Sequence, residues 1–243
     1  MGVTHVVRGS DHVTNTATQI QIIKALGGNV PSFAHHSLLT GAQGEALSKR
    51  IGSLSIKDFR EGGAEPMAII SMMAALGSSQ PVVLANSIEE LSANFDLTHF
   101  GPAPTKFDPD EVKRLSTSWL RAAPSQIVGV SLSDIPEANR DEFWEMAAPN
   151  VDTRDDIAAL WALVSQDATP IIDEVDADFV KEAMALQPAL PWDDTTWKTW
   201  TNAVKDATGR KGKDLFLPLR KAVMGREHGP DMGKFMALRG KLL

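Results

Sequence analysis

The sequence predicts a mainly α-helical protein that begins with a short α/β segment. Residues 3–7 form an apolar, β-branched run that is typical of a buried strand. A polar turn and a helical pattern follow this run, which is the order found in one unit of an α/β layer. From Pro136 onward only helical patterns occur. The length of 243 residues allows roughly one to two domains, so we expect the α/β piece to precede a separate helical bundle.

The first predicted helix spans residues 14–26. Thr14 or Asn15 can cap its N-terminus, and the pair Gly27-Gly28 ends it. Its predicted apolar face consists of Ile20, Ile23 and Leu26. A second short segment around residues 36–39 then leads into a turn at residues 40–44.

Downstream of this turn the apolar residues recur at helical spacing. The predicted helices span residues 55–61, 65–76, 87–95, a segment that begins at 108, 137–148, 152–165, 176–187, 193–208 and 212–224. Two of them have clear start signals: Ser87 opens a capping box, and Asp108 precedes a proline at the first helical position. Linker signals at residues 101–104 and 124–136 separate the helical regions.

The composition excludes several kinds of site. The chain has no cysteine, which excludes disulfides, thiolate catalysis and cysteine-ligated metal sites. It also has no tyrosine, which excludes a phenolic acid or nucleophile. The lack of cysteine fits a reducing cytoplasm, where we expect the protein. The N-terminus lacks a signal-peptide pattern. The best candidate for a membrane span has about ten continuous apolar residues, half of what a bilayer needs, so we expect no membrane partner.

Charge is unevenly distributed along the chain. The formal net charge is −7. Residues 195–243 contain eleven Lys or Arg and four acids, so this tail carries +7 and the first 194 residues carry −14. Such asymmetry indicates either a polyanion-binding face or solvated helix surfaces.

Arg8 and Asp11 directly follow the first predicted strand. In α/β proteins, ligands bind at the carboxyl ends of strands. An arginine there can clamp a carboxylate with two hydrogen bonds, and an aspartate can accept from an amine or a hydroxyl. The alternative is a turn whose aspartate caps the next helix.

The stretch Leu47-Ser48-Lys49-Arg50 places two cations in a loop. Mobile ammonium and guanidinium groups suit a polyphosphate whose charge changes during a reaction, whereas the alternative is a solvated basic turn. We expect no metal site, because His35 and His36 are adjacent and would point to opposite faces of a strand.

Several stretches, in this order, resemble bacterial glutamyl-tRNA synthetases of class I. Residues 2–16, 33–35 and 47–50, with Gly52, Ser55 and the turn at 59–62, are similar to the second half of their catalytic core. The tail at residues 217–220 and 225–230 is similar to the end of their anticodon-binding region. The resemblance covers essentially the whole chain and is loosest from residue 81 to residue 191.

The resemblance implies a mainly α fold with three regions. Residues 1–60 would be the remnant of an α/β nucleotide-binding (Rossmann-type) catalytic domain and would carry the KMSKS-like loop. Residues 61–125 would form a helical stem-contact region, and residues 126–243 an all-helical anticodon-binding region.

The resemblance also implies roles for individual residues. Lys49 would be the catalytic lysine of the signature loop, which neutralises the ATP phosphates as pyrophosphate leaves. Arg8 would contact the glutamate substrate. The residues implied in ATP binding are Leu47, Ser48, Lys49, Arg50, Asp11 and His12. The sequence departs from the family pattern at Ala46, where the loop usually has its first lysine.

Class I synthetases carry a HIGH-type motif near the N-terminus, and no His-x-Gly-His occurs in this sequence. We therefore interpret the chain as the C-terminal portion of a glutamate–tRNA ligase whose parent enzyme uses ATP with Mg²⁺. On this interpretation the chain alone is a monomer that binds tRNA-Glu, and tRNA-Gln in some enzymes, but cannot form adenylate. Glutamate and ATP would bind only when the N-terminal half is present.

Two alternatives stay open on the sequence. One is a non-catalytic tRNA-binding fragment, or a domain that needs a separate N-terminal partner. The other is the glutamyl-queuosine tRNA-modifying relative, which shares the core motifs but lacks the long helical anticodon-binding region.

Overall fold

The computed structural model of the chain describes residues 2–41, 44, 55–166 and 168–243. The chain divides into two compact units, Met1–Trp119 and Leu120–Leu243. The described residues are mainly helical, with four short strands that all belong to the first unit. The predicted fold class, helices preceded by a small α/β piece, is confirmed.

The first unit begins with a strand–helix–strand arrangement. Strand β1 (His5–Gly9) leads through a 3₁₀ turn (Ser10–His12) into helix α1 (Val13–Ala25), and strand β2 (Ser32–His36) follows. The two strands are parallel, and Arg8 lies opposite His35 in their register. The predicted strand and helix are therefore present, but the strand spans residues 5–9 instead of 3–7 and is not buried, with Val3 and Val7 exposed. His12 rather than Thr14 or Asn15 occupies the N-cap of α1.

The two faces of this small sheet differ in burial. Arg8, Phe33 and His35 are half-buried on the face near α1, whereas the intervening strand residues are exposed, including Val7 at 61%. The alternation follows from the period of two along a strand. Leu26, predicted on the buried face of the first helix, is 81% exposed because α1 ends at Ala25 and only two strands lie beneath it.

Short helices and a second pair of strands complete the first unit. The remaining elements are α2 (Ile56–Glu61), α3 (Pro66–Ala75), α4 (Ile88–Ala93), α5 (Pro109–Ala122), and the parallel pair β3 (Leu39–Thr40) and β4 (Thr105–Lys106). Their core contains Met72, Phe107 and Val112. The boundary between the two units falls within α5.

Both predicted N-terminal caps are present, but the capping box at Ser87 has a different partner for its glutamate. Ser87 Oγ accepts from the backbone N–H of Glu90, while the Glu90 carboxylate accepts from the N–H of Asn86 instead of Ser87. Asp108 accepts from the N–H of Asp110 at the start of α5. Short polar side chains thus satisfy free amides at both N-termini.

The second unit is a helical bundle. Its helices after α5 are α6 (Ser125–Val128), α7 (Glu137–Ala147), α8 (Asp155–Ser165), α9 (Ala177–Ala185), α10 (Thr196–Thr208), α11 (Lys213–Met224) and α12 (Met232–Gly240). The indoles of Trp144 and Trp200 are buried, and each donates to a backbone carbonyl, so the core accommodates their polar nitrogens. The sequence did not predict α12, whose residues Phe235, Met236 and Leu238 are fully buried.

Candidate functional site

Arg8 lies at the carboxyl end of β1, where the parallel strands of the first unit end. Its Nη2 donates to Thr16 Oγ1 across 2.6 Å, and its guanidinium lies 5.3 Å from the centroid of the Phe33 ring. Thr16 belongs to the first turn of α1 and Phe33 to β2. Two neighbouring elements therefore orient the cation that the sequence singled out.

The guanidinium of Arg8 keeps a free donor inside the structure. Its Nε is buried and has no hydrogen-bond partner among the described residues. Buried polar nitrogens are almost always hydrogen-bonded in proteins, so a donor of this kind indicates a missing acceptor. A carboxylate is the acceptor that an arginine side chain binds best.

Asp11 and His12 occupy the 3₁₀ turn that follows β1, and both side chains are exposed. The Asp11 carboxylate lies 3.6 Å from His12 Nε2. It also folds back over Gly9, because a Cβ at Gly9 would meet Asp11 Oδ1 at 2.5 Å. The glycine thus leaves room for a carboxylate at the end of the strand that carries Arg8.

The predicted ATP-binding residues Leu47, Ser48, Lys49 and Arg50 lie outside the described residues. Their roles stay predictions. The structure therefore describes Arg8, Asp11 and His12 of the residues that the sequence selected.

Two side chains of this site escaped the sequence analysis. Thr16 is buried and His35 is half-buried, and Thr16 Oγ1 lies 2.9 Å from His35 Nε2. The alternation along β2 places His35 on the same face as Phe33, which was a usable signal. Its register opposite Arg8 could not be read from the sequence, because pairing between strands is a tertiary property.

The basic tail is less available than its net charge suggests, since six of its eleven cations bind within the second unit. Arg210 pairs with Asp176 and lies over the Phe179 ring, and buried Lys221 pairs with Asp173. The other four are Arg220, bound to the Pro230 carbonyl; Lys234, paired with Glu145; Arg239, bound to the carbonyls of Leu163 and Gln166; and Lys241, paired with Glu142.

Four lysines of the tail have no ion-pair partner in the described part of the chain. They are exposed and lie on α10, in the loop after it and at the first position of α11: Lys198, Lys205, Lys211 and Lys213. Phe216, one turn after Lys213, is 45% exposed, and its ring lies 6.4 Å from that of Trp197. Surfaces that bind single-stranded nucleic acid commonly combine unpaired cations with exposed aromatic rings.

The two tail segments at residues 217–220 and 225–230 are joined by a hydrogen bond. Arg220 Nη1 donates to the Pro230 carbonyl across 3.0 Å. Burial lowers the pKa of the Arg220 guanidinium, and the Asp231 carboxylate opposes this effect. The segments at 217–220 and 225–230 therefore form one structural unit around this arginine.

Neither a metal cluster nor a membrane-spanning helix is found in residues 2–41, 44, 55–166 and 168–243. No group of three or more His, Asp or Glu there could hold a metal ion. Within the same described ranges, each helix is too short or too polar to cross a bilayer.

Two family models match the chain in sequence order. Residues 1–113 match the model described as tRNA synthetases class I (E and Q), catalytic domain. Residues 131–242 match the model described as anticodon binding domain. The two matches parallel the division between the α/β-containing unit and the helical bundle.

Curated relatives of the chain include glutamate–tRNA ligases. It is 58% identical over 240 residues to glutamate–tRNA ligase 2 of Jannaschia sp. (strain CCS1) and 55% identical over 240 residues to glutamate–tRNA ligase 1 of Roseobacter denitrificans. Each match covers 98% of this chain and 54% of the relative. The chain thus spans about half the length of these relatives.

Solved structures support the same fold at lower identity. The glutamate–tRNA ligase from Elizabethkingia meningosepticum, crystallised in complex with its amino acid, superimposes with a TM-score of 0.77 at 22% identity and 98% coverage of this chain, against 54% of its own. The glutamate–tRNA synthetase from Elizabethkingia anophelis gives a TM-score of 0.74 at 23% identity with the same coverages. From the family models and the ligase relatives together, the chain belongs to the glutamate–tRNA ligase family of class I tRNA synthetases.

Proposed function

We propose that this chain is the C-terminal portion of a glutamate–tRNA ligase. The parent enzyme joins a carboxylate of glutamate to the AMP moiety of ATP with release of pyrophosphate, and then transfers the glutamyl group from this adenylate to the 3′ end of tRNA with release of AMP. The proposal rests on the order of the catalytic and anticodon-binding matches and on the 54% share of the ligase relatives that the chain covers.

Within the catalytic part, we propose that Arg8 binds a carboxylate of glutamate. The observation that carries this role is its buried Nε without a hydrogen-bond partner among the described residues, at the carboxyl end of a parallel strand. Asp11 and His12 would line the adjoining part of the ATP and amino-acid pocket. Lys49 would stabilise the departing pyrophosphate of MgATP, with Leu47, Ser48 and Arg50 in the same loop.

The remaining assignments follow the three regions proposed for the chain, 1–60, 61–125 and 126–243. The middle region would contact the tRNA stem, and the last would bind the anticodon arm of tRNA-Glu, with tRNA-Gln as an additional acceptor in some enzymes. We also place the protein in the cytoplasm, where tRNA is charged for translation, and we expect a monomer.

The isolated chain should bind tRNA without forming adenylate. Lys198, Lys205, Lys211 and Lys213 supply free positive charge for the phosphate backbone. Filter-binding titrations with tRNA-Glu should show affinity that falls steeply as the salt concentration rises. Salt-insensitive binding, or none, would count against the tRNA role.

The catalytic half of the proposal has a separate test. The purified 243-residue chain, mixed with glutamate, MgATP, labelled pyrophosphate and tRNA-Glu, should give no ATP–pyrophosphate exchange. Exchange that depends on glutamate would show that the chain is a complete activating unit and would overturn this part of the proposal.

One observation favours the alternative of a domain that needs a separate N-terminal partner. Three apolar residues are each more than half exposed: Val7 on β1, and Ile22 and Leu26 near the end of α1. Apolar surface of this extent around a two-stranded sheet suits coverage by another polypeptide segment. Restoration of pyrophosphate exchange on adding the separately expressed N-terminal half of a ligase relative would support this alternative over a non-catalytic fragment.

A further inference from the structure

Three polar groups surround the hydroxyl of Thr16. Arg8 Nη2 lies 2.6 Å from Oγ1, His35 Nε2 lies 2.9 Å from it, and the His12 carbonyl oxygen lies 3.0 Å from it. All three distances are those of hydrogen bonds. Thr16 itself is 8% exposed, so water has little access to compete for these positions.

The number of hydrogens available fixes the direction of each bond. A hydroxyl has one proton and two lone pairs. Arg8 can only donate, and the His12 carbonyl can only accept, so the Thr16 proton goes to the carbonyl. Three hydrogen bonds to this hydroxyl therefore form together only when the second lone pair accepts from His35, with the imidazole proton on Nε2. With the proton on Nδ1, one of the three contacts would contain no hydrogen.

We propose that Thr16 is a positioning residue for Arg8, and that an Nε2–H of His35 locks the Thr16 hydroxyl in place. Two donors, from Arg8 and His35, converge on one oxygen that is itself anchored to the helix backbone. This arrangement leaves the Nε–H of Arg8 without a partner among the residues that the structure describes, while the Phe33 ring limits the other movements of the guanidinium. Its relevance to glutamate binding rests on the function proposed above.

The backbone places all of these groups before any ligand arrives. Arg8 and His35 are directly opposite in the parallel ladder, and Thr16 is the one buried residue that the structure describes in α1. The guanidinium of Arg8 would therefore be held in one orientation before a ligand binds.

Nuclear magnetic resonance of the ligand-free chain tests the network directly. At about pH 8, where an ordinary imidazole is neutral, long-range ¹H–¹⁵N spectra should show His35 with a protonated Nε2 and an unprotonated Nδ1. The Arg8 guanidinium should give resolved side-chain signals, because its Nη2 is held. A proton on Nδ1 of His35 in the unaltered chain would overturn the proposal, and no variant is needed for this measurement.

Variants separate the hydroxyl from the shape of the residue. Thr16→Val keeps the branched shape but removes the oxygen, so the resolved Arg8 signals should average and the excess of the His35 Nε2–H tautomer should decrease. Thr16→Ser should restore both signatures. Thr14→Val is the matched control, since Thr14 lies exposed on the same helix and its hydroxyl donates to Asn15.

Signals of Arg8 and His35 that stay unchanged in Thr16→Val would contradict the positioning role. These measurements need neither glutamate nor tRNA. A failed network would therefore leave the ligase proposal standing, and active exchange by the isolated chain would leave the network standing.

Discussion

The ammonium group of Lys221 donates to Asp173 Oδ2 across 2.6 Å although the lysine side chain is only 8% exposed. Glu227 lies 3.5 Å from the same nitrogen. The interaction ties α11 to the segment that precedes α9. It also shows why net charge alone misjudges the tail, because this cation stabilises the bundle instead of facing a partner.

The Lys221 interaction predicts a loss of stability at alkaline pH. The hydrogen bond that Lys221 donates to Asp173 is the main cause that raises the pKa of Lys221, and the carboxylate of Glu227 adds to it. Since the folded pKa lies above the unfolded value, this stabilisation is complete below about pH 10.4 and is lost as the pH rises through the folded pKa.

Urea unfolding of the whole chain near neutral pH and near pH 11 measures this effect. Asp173→Asn should lower the free energy of unfolding at neutral pH and should weaken its alkaline dependence. Glu142→Gln is the control, because it removes a carboxylate from the more exposed pair with Lys241. Equal alkaline dependence in the two variants would contradict the prediction.

Asp156 predicts a loss of stability at acid pH. Burial alone would raise the pKa of its carboxyl, but the amides of Thr153 and Asp152 and the Thr153 hydroxyl donate to it and hold the pKa below its usual value. The stabilisation is therefore present above the unfolded value of about pH 3.9 and is lost as the pH falls through the folded pKa.

Asp156→Asn should destabilise the second unit by about 1 kcal/mol at neutral pH, as loss of a capping interaction does. Thermal unfolding at pH 7 and pH 3 gives the measurement. Asp155→Asn changes the neighbouring first-turn carboxylate, which is exposed, and should have a smaller effect. A similar loss in both variants would point to charge near the helix N-terminus as the cause.

Two glycines of the bundle predict a difference in tolerance to alanine. Gly209 and Gly225 both have positive φ, 73° and 68°. A Cβ at Gly209 would meet nothing within 4 Å, whereas at Gly225 it would lie 2.5 Å from the carbonyl oxygen of Thr169. Gly209→Ala should therefore cost only the left-handed backbone term of about 1 kcal/mol, and Gly225→Ala should cost clearly more.

Chemical denaturation of the two alanine variants compares these costs. Because the backbone term is shared, the difference isolates the clash with Thr169. Equal midpoints would mean that the segment around Thr169 moves away without cost, which contradicts the close packing at this turn.

The free lysines predict a change in the salt dependence of tRNA binding. Lys211→Gln with Lys213→Gln should reduce the slope of log affinity against log salt concentration by up to about 2, since each phosphate contact contributes about one unit. Lys234→Gln with Lys241→Gln removes the same charge from residues that pair with Glu145 and Glu142. The control pair should leave the slope nearly unchanged, and equal reductions would show that only total charge matters.

Exposed Phe216 predicts a contribution to RNA affinity that salt does not screen. Phe216→Ala should weaken binding at all salt concentrations by a similar factor, because stacking on a base contributes about 1–3 kcal/mol without neutralising a phosphate. Phe216→Trp should retain the affinity. Binding that is unchanged in Phe216→Ala would show that the ring near Trp197 serves only the packing of the bundle.

Local signals in the sequence predicted most of the helices and selected some residues of the candidate site. Ser87 and Asp108 cap helices as expected because capping involves only neighbouring residues. Helix α12 escaped prediction: its apolar residues lie on all sides, so no single face was visible. Arg8, Asp11 and His12 were selected because they lie at the end of a strand or directly after it, a feature that is local as well, and their roles stay predictions.

The sequence by itself determined the order of the α/β segment and the helices, the family, and the position of Arg8 at the end of the first strand. Only the tertiary structure decided that Thr16 and His35 converge on Arg8, since their contacts depend on strand register and helix placement. It also decided which cations of the tail stay free. Lys221 and Lys211 are the same residue type in the sequence, but Lys221 pairs with Asp173 in the folded bundle whereas Lys211 is exposed to solvent. Pairing of this kind depends on distances across the fold, which a linear pattern does not contain.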